Sequence, residues 1–404
     1  DLSLTQTLLQ NLFPAILNDP SPRVREASIY ILLLVVSQNH ENFSQFIAAL
    51  PQHLLNILPR DIEFPVLASS ICDVISRIDN LQSPETVISL LIKFSEINNP
   101  IFLESLFSCI SAIIRHTKNT AVLLSSIVPQ IVELVHMATI NPVLIANQSF
   151  IFYPFDQICS RAKEAMRQYF EVLYKALISS LESVGNVIVF NALSSLLSSV
   201  SFTQPEAYFP FLQDLMPRLL NLAQRFDSNE HIFALTFSLA TLNKTFDLSH
   251  FIPTFTEALV SIMSQRENDW TVYKEILDVL NYCFFRRYKE IMVSFIPALI
   301  KIISAPLPSL IEYIPYKEET EKFIFQAALF LLFVFTEYPV ESQQWTQVAL
   351  MVLIVAANCV DVENDLKSGF GDDNDPDVFT QLLTAIIACQ VEGSEDEEAI
   401  YGFM

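Results

Sequence analysis

Glycine is nearly absent from most of this chain, and its scarcity restricts the possible folds more than any other feature. Only five of the 404 residues are glycines, and four of them, Gly369, Gly371, Gly393 and Gly402, lie beyond residue 365. Sheet turns, bulges and phosphate-binding loops depend on glycine, because only glycine adopts positive φ cheaply or lets a backbone approach a phosphate closely. A β-rich or nucleotide-binding fold is therefore disfavoured for the body of the chain, and a helical fold is favoured.

A recurring phrase, an apolar residue followed by proline and an amphipathic run, divides the chain into helical pairs. It occurs at Phe13-Pro14, Leu50-Pro51, Val128-Pro129, Met216-Pro217, Ile252-Pro253 and Ile296-Pro297. The gaps are 37, 78, 88, 36 and 44 residues, and taking 78 and 88 as two repeats each gives the period of HEAT and armadillo repeats. Proline suits the first turn of a helix. We predict an all-α fold, an α-α superhelix (solenoid) of about nine HEAT-type helical hairpins.

The predicted solenoid covers residues 1–404 as one domain. Its repeats are predicted at 1–39, 44–80, 84–118, 122–158, 160–202, 206–246, 250–287, 290–338 and 343–390. Residues 141–160 and 305–321 are interpreted as ordered insertions between helices. Residues 361–377 are interpreted as an acidic loop, and residues 392–404 as an acidic tail.

The first repeat contains the string Asp19-Pro-Ser-Pro-Arg-Val-Arg-Glu-Ala27, which resembles the turn of a HEAT repeat. In that resemblance Pro22 starts the second helix of the pair. Arg25 is expected to bond turn carbonyls or acidic side chains of an adjacent repeat. We therefore predict that Asp19 and Arg25 serve repeat stacking rather than ligand binding.

No catalytic or metal-binding constellation is visible. The six histidines and six cysteines are dispersed, and the phosphate-binding and nucleophile motifs rich in glycine are missing. The scattered cysteines indicate buried free thiols in a reducing compartment. We expect no enzyme activity, no cofactor and no metal.

Three interpretations of the acidic loop are considered: a calcium site, a surface that binds a partner, and a loop that is only kept soluble by its charge. Its acids are Asp361, Glu363, Asp365, Asp372, Asp373, Asp375 and Asp377, against a lone Lys367. The spacing of an EF-hand is approached, but Leu366 occupies the position where the sharp turn requires glycine. The loop is either a partner-binding field for Lys and Arg or a stretch kept soluble by its charge.

The net charge of −22 disfavours nucleic acid as a partner and favours a basic one. Membrane insertion is not expected, because the uncharged stretches at 183–205 and 342–360 and the apolar run at 323–336 fall short of a span. The chain begins Asp-Leu-Ser-Leu, without an initiating Met or a basic signal region, which indicates a piece of a longer protein.

Trp270 follows Asp269, which suits the N-cap of a second helix. In that position Trp270 either packs between repeats or contributes to partner binding. The cations of Arg286-Arg287-Tyr288-Lys289 are expected to bond the last carbonyls of the same helix and to interact favourably with its dipole.

Together these residues resemble the importin-β (karyopherin-β) family of nuclear transport receptors. The resemblance rests on residues 19–27, on Tyr208-Phe-Pro-Phe-Leu-Gln-Asp-Leu-Met-Pro217, on Asp269-Trp270 and on an acidic loop after a first helix. It implies a flexible superhelix whose inner helices bind basic cargo and the GTPase Ran, with nucleoporins as further partners. It also implies shuttling between cytoplasm and nucleus, with acidic loops taking part in partner exchange.

The function predicted from the sequence is therefore a protein-binding HEAT solenoid, a nuclear transport receptor that carries basic, Lys/Arg-rich cargo under the control of Ran. One alternative is a non-transport HEAT scaffold or adaptor that organises a protein complex. A membrane-associated helical protein, with 323–360 inserted as a hairpin, is the other.

Overall fold

The computed structural model describes residues 19–37, 44–79, 81–224, 228–266, 269–312, 317–337 and 343–359, together with Asn11, Phe13, Ala15 and Gln381. Every regular element in these residues is a helix, so the predicted all-α fold class is confirmed. The chain divides into two compact units, Asp1–Phe209 and Pro210–Met404. The superhelix and the nine repeat boundaries stay predictions.

The helices of the first unit form consecutive pairs. Their bounds are α1 (Pro22–Ser37), α2 (Ser44–Asp61), α3 (Pro65–Ser76), α4 (Pro84–Ile92), α5 (Pro100–His116), α6 (Thr120–Ile140), α7 (Gln148–Ala162), α8 (Phe170–Val184) and α9 (Val189–Val200). A π-helical segment, Leu123–Ile127, lies inside α6, and a 3-10 helix, Lys163–Tyr169, joins α7 to α8.

These helices pack in two rows. The second helices of the pairs, α1, α3, α5, α7 and α9, each contact the next one along the row. The first helices, α2, α4, α6 and α8, do the same, and each packs against its own partner in the other row. Ile71, Leu106, Phe155 and Leu196 have no exposed surface in this core. Full burial of such a side chain contributes about 1.5–3 kcal/mol.

The second unit repeats the arrangement. Helix α10 (Pro205–Gln224) begins before the division at residue 210, and the helices after it are α11 (Asn229–Leu242), α12 (Ile252–Gln265), α13 (Trp270–Val279), α14 (Ile296–Ser304), α15 (Lys317–Glu337) and α16 (Gln343–Cys359). Helices α11, α13 and α15 form one row, and α12, α14 and α16 form the other. A π-helical segment, Leu280–Phe285, continues α13. We call α1, α3, α5, α7, α9, α11, α13 and α15 the second helices.

Local sequence explains where many helices start. Proline occupies the first turn of α3, α4 and α5, where its missing N–H is not needed. Asn99 caps α5 by accepting a hydrogen bond from the Phe102 amide, and Asp269 caps α13 by accepting one from Val272. The predicted cap at Asp269 is confirmed. Helix α8 ends at Gly185, whose φ of 70° is the left-handed conformation that favours glycine.

Arginine side chains join successive second helices. Arg161, at the end of α7, donates hydrogen bonds to carbonyls at the end of α5, those of Ile114 and Thr117. Arg287, after the π-helical segment, donates to the carbonyl of Asn243, just beyond α11. The sequence predicts that the cations at 286–289 serve their own helix end, whereas Arg287 serves the preceding repeat. Such bonds give hydrogen-bond donors to carbonyls at helix ends, where the regular pattern of the helix stops.

The interpretation of 141–160 as an insertion is wrong. Residues Gln148–Ala162 form α7, which runs through Pro154 and packs in the row of second helices. Burial of Phe152, Pro154 and Phe155 stabilises this helix despite the proline. In the second predicted insertion, 305–321, Leu307–Glu312 is a short helix and Lys317 starts α15.

Two helical stretches among the described residues are long and apolar enough to cross a membrane. They are α6 (Thr120–Ile140) and the stretch Lys289–Ile311, which contains α14, and in each of them 39% of the most apolar 18-residue segment is buried. Core helices of soluble proteins pass the same test of length and composition, so this is weak evidence for a span.

Candidate functional site

The acidic loop and the acidic tail predicted from the sequence lie outside the described residues. This applies to every acid named for partner binding, Asp361, Glu363, Asp365, Asp372, Asp373, Asp375 and Asp377. Their role stays a prediction, and the site described below is built from other residues.

Trp270, considered as a partner contact, is instead buried. Only 5% of its surface is exposed, and its ring centroid lies 5.1 Å from that of Phe323 in α15. Tyr273 packs against both rings. The aromatic cluster therefore joins two successive second helices, and Trp270 does not belong to an exposed binding surface.

Asp19 and Arg25 lie at the contact between the first two predicted repeats. The Arg25 guanidinium donates from Nη2 to Oδ1 of Asp61 over 2.8 Å and from Nη1 to the carbonyl of Asp19 over 2.8 Å. Asp61 has no exposed surface and also accepts bonds from Arg60. Asp19 accepts a hydrogen bond from the Ser21 amide through its carboxylate. Asp19 thus stabilises the turn before α1, and Arg25 joins that turn to the end of α2.

Histidines and cysteines are not assembled into a site in the described part of the chain. No group of three or more His, Cys, Asp or Glu side chains there is arranged to hold a metal ion. Cys72, Cys109 and Cys159 are buried free thiols, whereas Cys283 is partly exposed. Burial raises the pKa of the Cys283 thiol, and the nearby Lys244 opposes that shift.

An open groove lies on the second helices between α11 and α13, and sequence reasoning missed it. It has a volume of about 250 Å³. Phe233 and Phe237 form one wall with ring centroids 6.1 Å apart, and Phe233 is 46% exposed. The lining residues are Phe233, Thr236, Phe237, Ala240, Glu275, Asp278, Val279 and Cys283. An exposed aromatic ring such as Phe233, beside carboxylates, is a typical feature of protein recognition surfaces.

The opposite wall of the groove carries charge. Lys274 Nζ lies 3.1 Å from Oε1 of Glu275 and 3.0 Å from Oδ2 of Asp278. Burial acts to lower the pKa of Lys274, but the hydrogen bond and charge of Asp278, helped by Glu275, raise it overall. Within the described residues Lys274 is the one partner of these two carboxylates. The second oxygen of each is therefore open to a donor from a ligand.

Both signs of charge lie along this groove. Glu275 and Asp278 lie in the second half of α13, and Cys283 lies in the π-helical segment that continues it. Lys244 and Arg286 act electrostatically on the Cys283 thiol, and Asp278 acts on it with the opposite sign. A ligand would therefore meet carboxylates, aromatic rings and cations in one groove.

The sequence does contain the signal for this site, but only in two separate helices. Phe233 and Phe237 are spaced i, i+4 on α11, and Lys274 and Asp278 have the same spacing on α13. Residues at that spacing share a helix face. The sequence alone does not show that these two helix faces lie side by side in the folded chain.

Compared with protein-family models and with curated proteins, the sequence matches none.

Proposed function

We propose that this chain is a protein-binding helical repeat array that holds a basic segment of its partner, and that it acts as a nuclear transport receptor of the importin-β type. The observation that carries the binding function is the groove between α11 and α13, where exposed rings flank carboxylates with open acceptor oxygens. The resemblance in residues 19–27, 208–217 and 269–270 is what supports transport in particular.

Long-range and local electrostatics favour the same kind of partner. The net charge of −22 attracts a cationic protein and speeds its encounter. In the groove, an arginine or lysine of the partner would donate to the open oxygens of Glu275 and Asp278, while an apolar side chain would cover Phe233 and Phe237. Binding of this kind weakens as salt screens the charges.

The alternative is a scaffold or adaptor that organises a protein complex without Ran. The mixed charge of the groove favours this second candidate. Lys274 neutralises part of the acidic wall, and both cations, Lys244 and Arg286, and a carboxylate, Asp278, act on the Cys283 thiol. A surface of this kind suits one particular partner better than it suits any basic tail.

The test is a titration of the chain against a fluorescent lysine-rich localisation peptide at low and moderate salt, with GTP-loaded Ran as competitor. A peptide with glutamate in place of lysine is the matched control. Salt-sensitive binding that Ran releases supports a transport receptor, and binding that Ran leaves unchanged supports the scaffold. If the lysine peptide binds no better than the glutamate peptide at either salt, recognition of basic partners is wrong.

A further inference from the structure

We infer that the groove between α11 and α13 selects a peptide in which a large apolar side chain stands directly beside an arginine or lysine. The inference rests on the proposed function and makes it more specific, since a basic tail without the apolar residue would fill only part of the groove.

The aromatic wall requires the apolar residue. Phe233 is 46% exposed although it lies in a packed helix, and the ring of Phe237 extends the same wall toward the middle of the groove. Ala240 and Val279 add further apolar surface to the lining. A bound aliphatic or aromatic side chain would remove these surfaces from water, which is the largest favourable term in most protein association.

The carboxylates of Glu275 and Asp278 are the reason why the ligand needs a cation, and they determine where that cation binds. Only Oε1 of Glu275 and Oδ2 of Asp278 are engaged by Lys274. A guanidinium or ammonium group of the ligand can therefore bind the remaining oxygens without displacing Lys274. Because Asp278 and Val279 both line this one groove of about 250 Å³, a ligand that fills it must place its cation and its apolar group close together.

The cations near Cys283 limit how basic the ligand can be. Lys244 and Arg286 act on the Cys283 thiol, and Asp278 acts on it with the opposite sign. A peptide with a single cation beside its apolar residue therefore suits the groove better than a uniformly basic peptide, whose further cations would also meet Lys244 and Arg286.

The first experiment compares three fluorescent peptides of equal length with the intact chain. One has phenylalanine beside arginine, one has the same residues separated by a Gly-Ser spacer, and one has glutamate in place of the arginine. We expect the adjacent peptide to bind about tenfold more tightly than the separated one, because only it fills both walls. Equal affinity for the adjacent and separated peptides would overturn the inference.

Variants then locate the binding. Phe233→Ala and Asp278→Asn should each weaken the adjacent peptide by about tenfold. Phe202→Ala and Glu257→Gln are the matched controls, since Phe202 is 56% exposed, Glu257 is exposed on α12, and neither lines this groove. Lys274→Met should strengthen binding by about two- to fivefold, because it removes a competing cation. This gain cannot result from a loss of folding.

The rate at which Cys283 is alkylated measures whether a peptide occupies the groove. It lines the groove and is partly exposed, so alkylation by N-ethylmaleimide, followed at Cys283 by peptide mass spectrometry, should slow when the adjacent peptide saturates the chain. If the peptide binds while Cys283 reacts at its free rate and the groove variants bind normally, the groove is not the site, although recognition of basic partners survives. If none of the arginine peptides binds, both the inference and the proposed function fail.

Discussion

Asp156 lies in α7 with its Oδ1 atom buried and without a hydrogen-bond partner. Burial raises the pKa of this carboxyl from 3.8 to about 7, and a hydrogen bond from Ser195 opposes the shift. The neighbouring Cys159 thiol has a raised pKa as well, through burial first and then through the charge of Asp156. An acid in such a place is uncharged in the folded chain under mildly acidic conditions.

The raised pKa of Asp156 makes stability depend on pH. Well below the unfolded pKa of 3.8 the carboxyl is protonated in both states and contributes no penalty. As pH rises toward 7 the unfolded chain releases the proton first, so the free energy of unfolding falls, by up to about 4 kcal/mol for a shift of this size. Asp156→Asn should therefore leave stability near pH 4 almost unchanged and raise it at pH 8.

Urea unfolding followed by circular dichroism from pH 4 to 8 measures this effect. Glu257→Gln, which removes an exposed acid on α12, is the control and should change the pH profile little. A constant difference between Asp156→Asn and the parent chain across the whole range would show that folding does not raise the pKa of Asp156.

At the scale of elements, the contact between α1 and α2 depends on a buried ion pair. Arg25 is 4% exposed and Asp61 is fully buried, and their guanidinium and carboxylate groups are joined by two hydrogen bonds. Removing one partner of a buried pair leaves an uncompensated charge and costs about 3–5 kcal/mol. Replacing both partners with apolar residues removes that penalty.

We therefore expect Arg25→Met alone to lower the free energy of unfolding by about 3 kcal/mol. The double variant Arg25→Met, Asp61→Leu should be more stable than Arg25→Met, although it also removes the ion pair between Arg60 and Asp61. Denaturant unfolding of the parent, both single variants and the double variant completes the thermodynamic cycle. Additive losses in the double variant would mean that the pair contributes no coupling energy.

The starts of individual helices could be predicted from the sequence because they depend on local chemistry. Pro65, Pro84 and Pro100 each begin a helix, and Asp269 caps α13 as predicted. Helix α7 could not be predicted in this way. Pro154 argues against a helix interior, and only the tertiary burial of the side chains around it outweighs that local preference.

The groove between α11 and α13 could not be predicted from local patterns for a related reason. Phe237 and Asp278 are far apart in the chain and meet only because successive second helices pack side by side. Trp270 illustrates the opposite error. A large aromatic residue next to a helix cap fits both a core and a surface, and the position of Phe323 decides between them.

At the scale of the whole molecule, charge acts on folding and binding in opposite directions. The chain carries 45 acidic and 23 basic residues, so its charges repel one another on average in the folded state. Salt screens this repulsion over about 10 Å at 0.1 M. The same screening removes the long-range attraction for a cationic partner. Salt should thus stabilise the chain while it weakens the complex.

We expect the thermal unfolding midpoint to rise by a few degrees, about 2–4 °C, between low salt and 0.3 M NaCl, since about 1 kcal/mol shifts a large domain by that amount. Over the same range the affinity for the phenylalanine-arginine peptide should fall. Glu257→Lys, which reduces the net negative charge at an exposed site on α12, should respond less to salt than the parent. A midpoint that falls with salt would show that local ion pairs, such as Lys322 with Glu318, outweigh the repulsion of the whole chain. The opposite signs of the two responses follow from one charge distribution, so measuring both on one preparation tests that distribution without reference to any particular contact.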